Sequence, residues 1–170
     1  MIIVEGPDNS GKTTLARKLS ADLQLVYVNN RSRPKNFKDL DYDCFHLTNL
    51  AMTVPTVFDR WGPISEPIYG PIIRKTEKMT RDELTQLHRY AEQAKPIVIY
   101  CRPSMNRLLD FGDIEQMPGV KENATRLVEA YDKELKFVGK YLTTCIYDYD
   151  AHEYSQIREI ITNHIRGPLH

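Results

Sequence analysis

Five short apolar runs rich in β-branched residues punctuate the chain: Met1 to Glu5, Leu25 to Val28, Thr56 to Asp59, Pro96 to Cys101 and Thr143 to Tyr147. Runs this short, with little polar alternation, predict strands buried on both faces, as in a parallel sheet. Between them, apolar residues recur at helical spacing in Lys12 to Leu23, Arg81 to Ala94, Val120 to Val138 and His152 to Ile165. Strands alternating with helices imply right-handed crossovers, and so a three-layer, doubly wound α/β fold around a parallel five-stranded sheet. Ligands of such sheets gather at the carboxyl ends of the strands. That edge carries Gly6 to Thr13, Asn29 to Arg33, Asp59 to Trp61, and Arg102. The stretches Trp61 to Pro71 and Arg102 to Gly119, marked by Pro and Gly, read as functional loops.

Composition narrows the picture. A chain of 170 residues, 41% of them hydrophobic, supports one compact domain over residues 1–170, and no repeat or linker divides it. Its 23 basic and 23 acidic residues cancel, so no overall field gathers a polyanion such as duplex DNA. Cys44, Cys101 and Cys145 lack metal-ligand spacing, and the latter two lie in predicted strands, which fits a reducing, cytoplasmic setting. Neither a leader pattern nor a run of about 18 apolar residues occurs, so the expectation is a protein neither exported nor inserted in a membrane.

The sharpest signal is Gly6-Pro7-Asp8-Asn9-Ser10-Gly11-Lys12-Thr13, which satisfies G-x-x-x-x-G-K-[ST] between a predicted strand and a predicted helix. The glycines let backbone N–H groups turn toward an anion, and the helix start adds its positive dipole end. Gly6, Asn9, Ser10, Gly11, Lys12, Thr13 and Thr14 are therefore candidates for holding the phosphates of ATP. Lys12 reaches the β and γ phosphates, and the Thr13 hydroxyl is placed for Mg²⁺.

Farther on, Asp59-Arg60-Trp61 ends the third strand on the same edge, with Ser65 and Tyr69 downstream. Together with Asp8 and Thr13-Thr14, these residues resemble the thymidylate kinases, nucleoside-monophosphate kinases among the P-loop proteins. That family has G-x-D-x-x-G-K-[ST]-T in its first loop and Asp-Arg-aromatic, Ser and Tyr after its third strand. The interval from Asp59 to Tyr69 is one residue longer than that pattern. The segment Asp113-Ile114-Glu115-Gln116, followed by a helix to Tyr131, is similar to the family's return from its lid. The resemblance implies a P-loop NTP hydrolase-like fold and a nucleotide kinase using ATP and Mg²⁺. It implies that Asp8 accepts a hydrogen bond from a deoxyribose 3′-hydroxyl and that Asp59 holds a water on Mg²⁺. Arg60 would bridge the acceptor phosphate and the transferring group, and Tyr69 would pack against the sugar. Arg33 would hold the acceptor phosphate, with Arg31 as its alternate, and Phe45 would stack on the base. Many relatives are dimers, so a homodimer is a possible assembly.

A lid is expected over about residues 102–121, where Arg102 and Arg107 are the arginines available to complete the charge around the phosphates. The acceptor implied is a deoxynucleoside 5′-monophosphate of thymidylate type, whose phosphate oxygen is already ionised and needs no strong base. Two rivals stand beside it. One is a kinase of a hydroxyl acceptor, a deoxynucleoside or a 5-hydroxymethylpyrimidine in DNA, for which Asp59 or Asp8 would supply the base. Neutral charge disfavours the DNA acceptor. The other is an ATP-binding switch without transfer.

Overall fold

The computed structural model describes residues 1–29, 34–76, 79–110 and 117–166. Its five strands are β1 (Ile2–Glu5), β2 (Val26–Asn29), β3 (Thr56–Asp59), β4 (Ile97–Cys101) and β5 (Thr143–Tyr147), all parallel in the order β2-β3-β1-β4-β5. The predicted strands thus form one sheet. Burial corrects one expectation, because every residue of β1, β3 and β4 is buried while β2 and β5 are largely not. The latter two lie at the sheet edges, and a β-branched run does not reveal whether a neighbour covers it.

Alternation along the strands divides the core. Ile3, Phe58, Val98 and Tyr100 face one cluster, whereas Ile2, Val4, Val57, Ile97 and Ile99 face another. The first is covered by α2 (Phe37–Thr53), α3 (Gly62–Tyr69), α4 (Arg81–Glu92) and α6 (Ala124–Val138). The second is covered by α1 (Lys12–Leu23) and α7 (Tyr154–Arg166). This makes the three layers.

Two elements depart from the sequence reading. Helix α2, which has Asn36 as its N-cap, was not among the predicted helices. It buries Leu40, Cys44 and Thr48 but also carries exposed Tyr42, Phe45 and Met52, so the apolar stripe that signals an amphipathic helix is blurred. The stretch Trp61 to Pro71, predicted as a loop, is α3 followed by a π-helical turn over Gly70–Arg74. Pro63 lies in the first turn, where its missing N–H costs nothing, whereas Pro67 lies inside the helix. Burial of Ile64, Ile68 and Tyr69 outweighs that defect. In the expected lid, Met105–Leu109 forms α5, capped by the Ser104 side chain.

Register sets the functional edge. Val4 pairs with Asp59 and Glu5 with Tyr100, and the Arg60 amide donates to the Val4 carbonyl at 3.0 Å. Gly6, Arg60 and Arg102 therefore leave three adjacent strands side by side.

Candidate active site

The loop from Gly6 to Gly11 turns through backbone conformations that favour glycine. Gly6 has φ 150°, and a Cβ there would lie 2.6 Å from the Cys101 carbonyl oxygen; Gly11 has φ 75°. The loop feeds α1, whose first residue, Lys12, is only 7% exposed. Lys12 Nζ donates to the Pro7 carbonyl at 3.1 Å and stands 3.8 Å from Asp8 Oδ1. Burial, followed by the nearby Arg60 charge, pushes its pKa down to about 8. A polyanion in the loop would reverse that shift by supplying the missing opposite charge. The Ser10 hydroxyl is buried with no hydrogen-bond partner among the described residues, as expected of a group that awaits a ligand oxygen.

Thr13 and Asp59 meet although 46 residues apart: Thr13 Oγ1 donates to Asp59 Oδ2 at 2.7 Å. The same oxygen accepts from the Tyr27 hydroxyl at 2.8 Å and from Asn29 Nδ2 at 3.4 Å. A hydroxyl and a carboxylate are hard oxygen donors that suit Mg²⁺. Among the described residues no group of three or more His, Cys, Asp or Glu could cage a metal, so a cation here needs phosphate oxygens and water to complete its shell. The residues fit a metal that arrives with a nucleotide.

Arg60 occupies the centre. It adopts φ 77°, a conformation uncommon outside glycine, and its guanidinium lies 4.8 Å from the Tyr69 ring centroid. Nη2 donates to Asp8 Oδ1 at 2.7 Å and to the Tyr69 hydroxyl at 3.2 Å, while Nη1 donates to the Tyr131 hydroxyl at 2.9 Å. Tyr69 in turn donates to Asp8 Oδ2 at 2.7 Å, so the extra residue after Asp59 does not keep it from the cluster. Burial opposes the Arg60 charge, yet Tyr131, Tyr69, Asp8 and Glu5 around it raise its pKa well above the ordinary value. Burial likewise works against ionised Asp8, but Arg60 and Lys12 win and hold its carboxyl below the usual range.

Two members of this cluster were not singled out from the sequence. Glu5, wholly buried, accepts hydrogen bonds from the Gly6 and Trp61 amides and from the Tyr131 hydroxyl. Burial raises its pKa despite Arg60. A carboxylate closing an otherwise apolar strand just before the loop was the available signal. Tyr131 gave none, because on α6 it reads as an ordinary core residue.

The remaining candidates lie elsewhere or are otherwise engaged. Arg102 is gripped by Asp132 through Nε and Nη2, at 2.9 and 3.1 Å. The Arg107 side chain pairs with Asp150 at 3.2 Å. Asn9 Nδ2 donates to the carbonyls of Arg107 and Asp110, both at 2.7 Å, which ties the loop before α1 to the end of α5. Thr14 lines a cavity of about 370 Å³ with Gly11, Leu15, Lys18, Tyr147, Tyr149 and Tyr154. Phe45 is 50% exposed, stacks on Tyr90, and borders a cavity that none of the cluster residues lines. Arg31, Arg33 and the segment Asp113 to Gln116 lie outside the described residues.

Comparison with solved structures aligns nearly the whole chain. The YorR protein of Bacillus subtilis, in complex with phosphorylated GDP, superposes with a TM-score of 0.70 at 23% identity, over 95% of this chain and 92% of that one. The fold is that of the P-loop kinases. Deoxyadenosine kinase from M. mycoides matches with a TM-score of 0.58 at 18% identity, covering 97% of this chain and 98% of its own. Thymidylate kinase from Candida albicans matches at 0.57 and 15% identity, covering 95% and 90%. No protein-family model and no curated protein sequence matches the chain. The predicted α/β architecture and the likeness to thymidylate kinases are thus borne out at the level of the P-loop kinase fold. Among the described residues, no helix is long and apolar enough to cross a membrane.

Proposed function

We propose that the chain is a kinase that transfers the γ-phosphoryl group of ATP to a deoxynucleoside 5′-monophosphate, with a thymidylate-like pyrimidine as the favoured acceptor. One observation carries the reading: Lys12 of the phosphate loop and Arg60 of the neighbouring strand end share a single oxygen, Asp8 Oδ1, at 3.8 and 2.7 Å. Two cations on one carboxylate, Lys12 buried and Arg60 half-buried, define a small space in which two anionic groups can meet without mutual repulsion. A switch that only bound ATP would have no use for the second cation.

In this reading the Gly6 to Thr13 backbone and Lys12 hold the donor phosphates, and Thr13 and Asp59 hold Mg²⁺, which neutralises charge on them. Arg60 keeps its charge and aligns the acceptor phosphate, while Asp8 takes the sugar hydroxyl and Tyr69 flanks the ring. The tyrosine-lined cavity beside Thr14 receives the donor base. Attack by an ionised phosphate oxygen requires alignment and charge neutralisation more than proton removal.

A second reading, a kinase of a hydroxyl acceptor, is supported by the deoxyadenosine kinase among the neighbours. A hydroxyl acceptor needs a base, which Asp59 or Asp8 would supply; Glu5, wholly buried and engaged by the Gly6 and Trp61 amides and the Tyr131 hydroxyl, is out of an acceptor's reach. Screening MgATP against deoxynucleoside monophosphates, deoxynucleosides and modified DNA separates the acceptors. Transfer to a monophosphate is expected, with Arg60→Ala lowering kcat about 10²- to 10³-fold at nearly unchanged ATP affinity. Tight ATP binding with no acceptor-dependent turnover would refute both kinase readings.

A further inference from the structure

Arg60 is held from two sides of different character. Asp8 and Tyr69 approach from the loop and from α3, the sides assigned above to substrate. Behind it stands a wall with no solvent exposure: Tyr131 and Glu5 are both 0% exposed. The Tyr131 ring is fixed by Tyr100, stacked at 6.0 Å and 16°, and by the edge of Tyr69 at 6.1 Å. Its hydroxyl is fully used, donating to Glu5 Oε2 at 3.0 Å and accepting from Arg60 Nη1 at 2.9 Å. Without that oxygen, Nη1 keeps only a 3.5 Å contact to the Gly6 carbonyl among its described partners.

We infer that Tyr131 is a positioning residue: its phenol bridges Arg60 to the buried Glu5 carboxylate and so fixes the guanidinium where the two phosphoryl groups meet. The inference rests on the kinase reading. A guanidinium at the end of a flexible side chain aligns a reacting group only if its own orientation is set before substrate arrives. Asp8 cannot serve alone, since the acceptor sugar engages it. The next residue, Asp132, grips Arg102 by two hydrogen bonds, so one turn of α6 sets both arginines at this edge of the sheet.

Tyr131→Phe keeps the ring and removes only the hydroxyl. With MgATP and the best monophosphate, kcat should fall about 10- to 100-fold while KM for MgATP changes less than about twofold. Tyr141→Phe, which deletes a hydroxyl paired with Thr85 and outside the Arg60 cluster, should match the wild type in kcat and serves as the control. The deciding measurement is a double-mutant cycle: in an Arg60→Ala background, Tyr131→Phe should add no further loss, because its effect runs through Arg60. An unchanged kcat in Tyr131→Phe, or a full additional loss in the Arg60→Ala background, would overturn the inference while leaving the kinase reading intact. A wild-type chain that transfers to no acceptor would overturn that reading and this inference with it.

Discussion

His88 provides a quantitative test of the core. It sits on α4 with no exposed surface, between the rings of Phe137 at 5.8 Å and Tyr141 at 6.0 Å, and neither ring nitrogen has a hydrogen-bond partner among the described residues. Burial, with a smaller contribution from the Arg81 charge, pushes its pKa from 6.5 down to about 4. The unfolded chain therefore takes up a proton near pH 6.5, but the folded chain does not until about pH 4. Stability from this residue is intact above the higher value and is lost as the pH falls between the two. Each unit is worth about 1.4 kcal/mol, which gives roughly 3 kcal/mol in all, of which about 2 kcal/mol is lost between pH 7 and pH 5. His88→Leu removes the titration and the two unpaired nitrogens at similar volume. Relief of those polar groups, about 1–3 kcal/mol, offsets a ring-contact loss of about 0.5–1.5 kcal/mol. Urea unfolding, followed through the single buried Trp61, is the assay. From pH 7 to pH 5 the wild type should lose about 2 kcal/mol more than the variant. Parallel stability curves across that range would refute the assignment of a neutral, unsatisfied imidazole.

Three other outcomes follow from the same geometry. Asp59→Asn removes the charge beside Thr13, so turnover should fall and the Mg²⁺ concentration for half-maximal rate should rise; a Mg²⁺ titration identical to wild type would count against the metal assignment. Gly6→Ala forces a Cβ to 2.6 Å from the Cys101 carbonyl at φ 150°, and should cost about 1–3 kcal/mol of stability and weaken ATP binding, read by thermal melting with and without nucleotide. Burial pushes the Cys44 thiol up to about 12 and the Cys145 thiol to about 11, and raises Cys101 as well. A thiol-reactive dye at pH 8 should therefore label the folded chain slowly and all three cysteines rapidly in urea.

Much of the candidate site is legible in the residue order because its chemistry is local. Gly6, Gly11, Lys12 and Thr13 are contiguous or nearly so, and the conformations required of the two glycines and the helix start follow from adjacent residues. Asp59 and Arg60 are legible because a polar pair closing an apolar run marks a strand end. The prolines at 63, 67 and 71 mislead, since they suggest a loop where burial overrides them with helix. Helix α2 is hidden by its own exposed aromatics. Phe45 matches a family position by its place between two strands, but such placement does not say which side of a helix faces the pocket.

The sequence by itself determined the five strands, the glycine-bearing turn between β1 and α1 and the lysine that opens α1, because each depends on residue type and short-range spacing. Tertiary structure alone decided that Tyr131, 71 residues from Arg60 and 126 from Glu5, closes the cluster. It also decided that Asp8 serves two cations and that Arg102 is committed to Asp132. The reason is physical: a hydrogen bond between distant residues depends on strand register and helix rotation, and these are fixed only when the whole core closes.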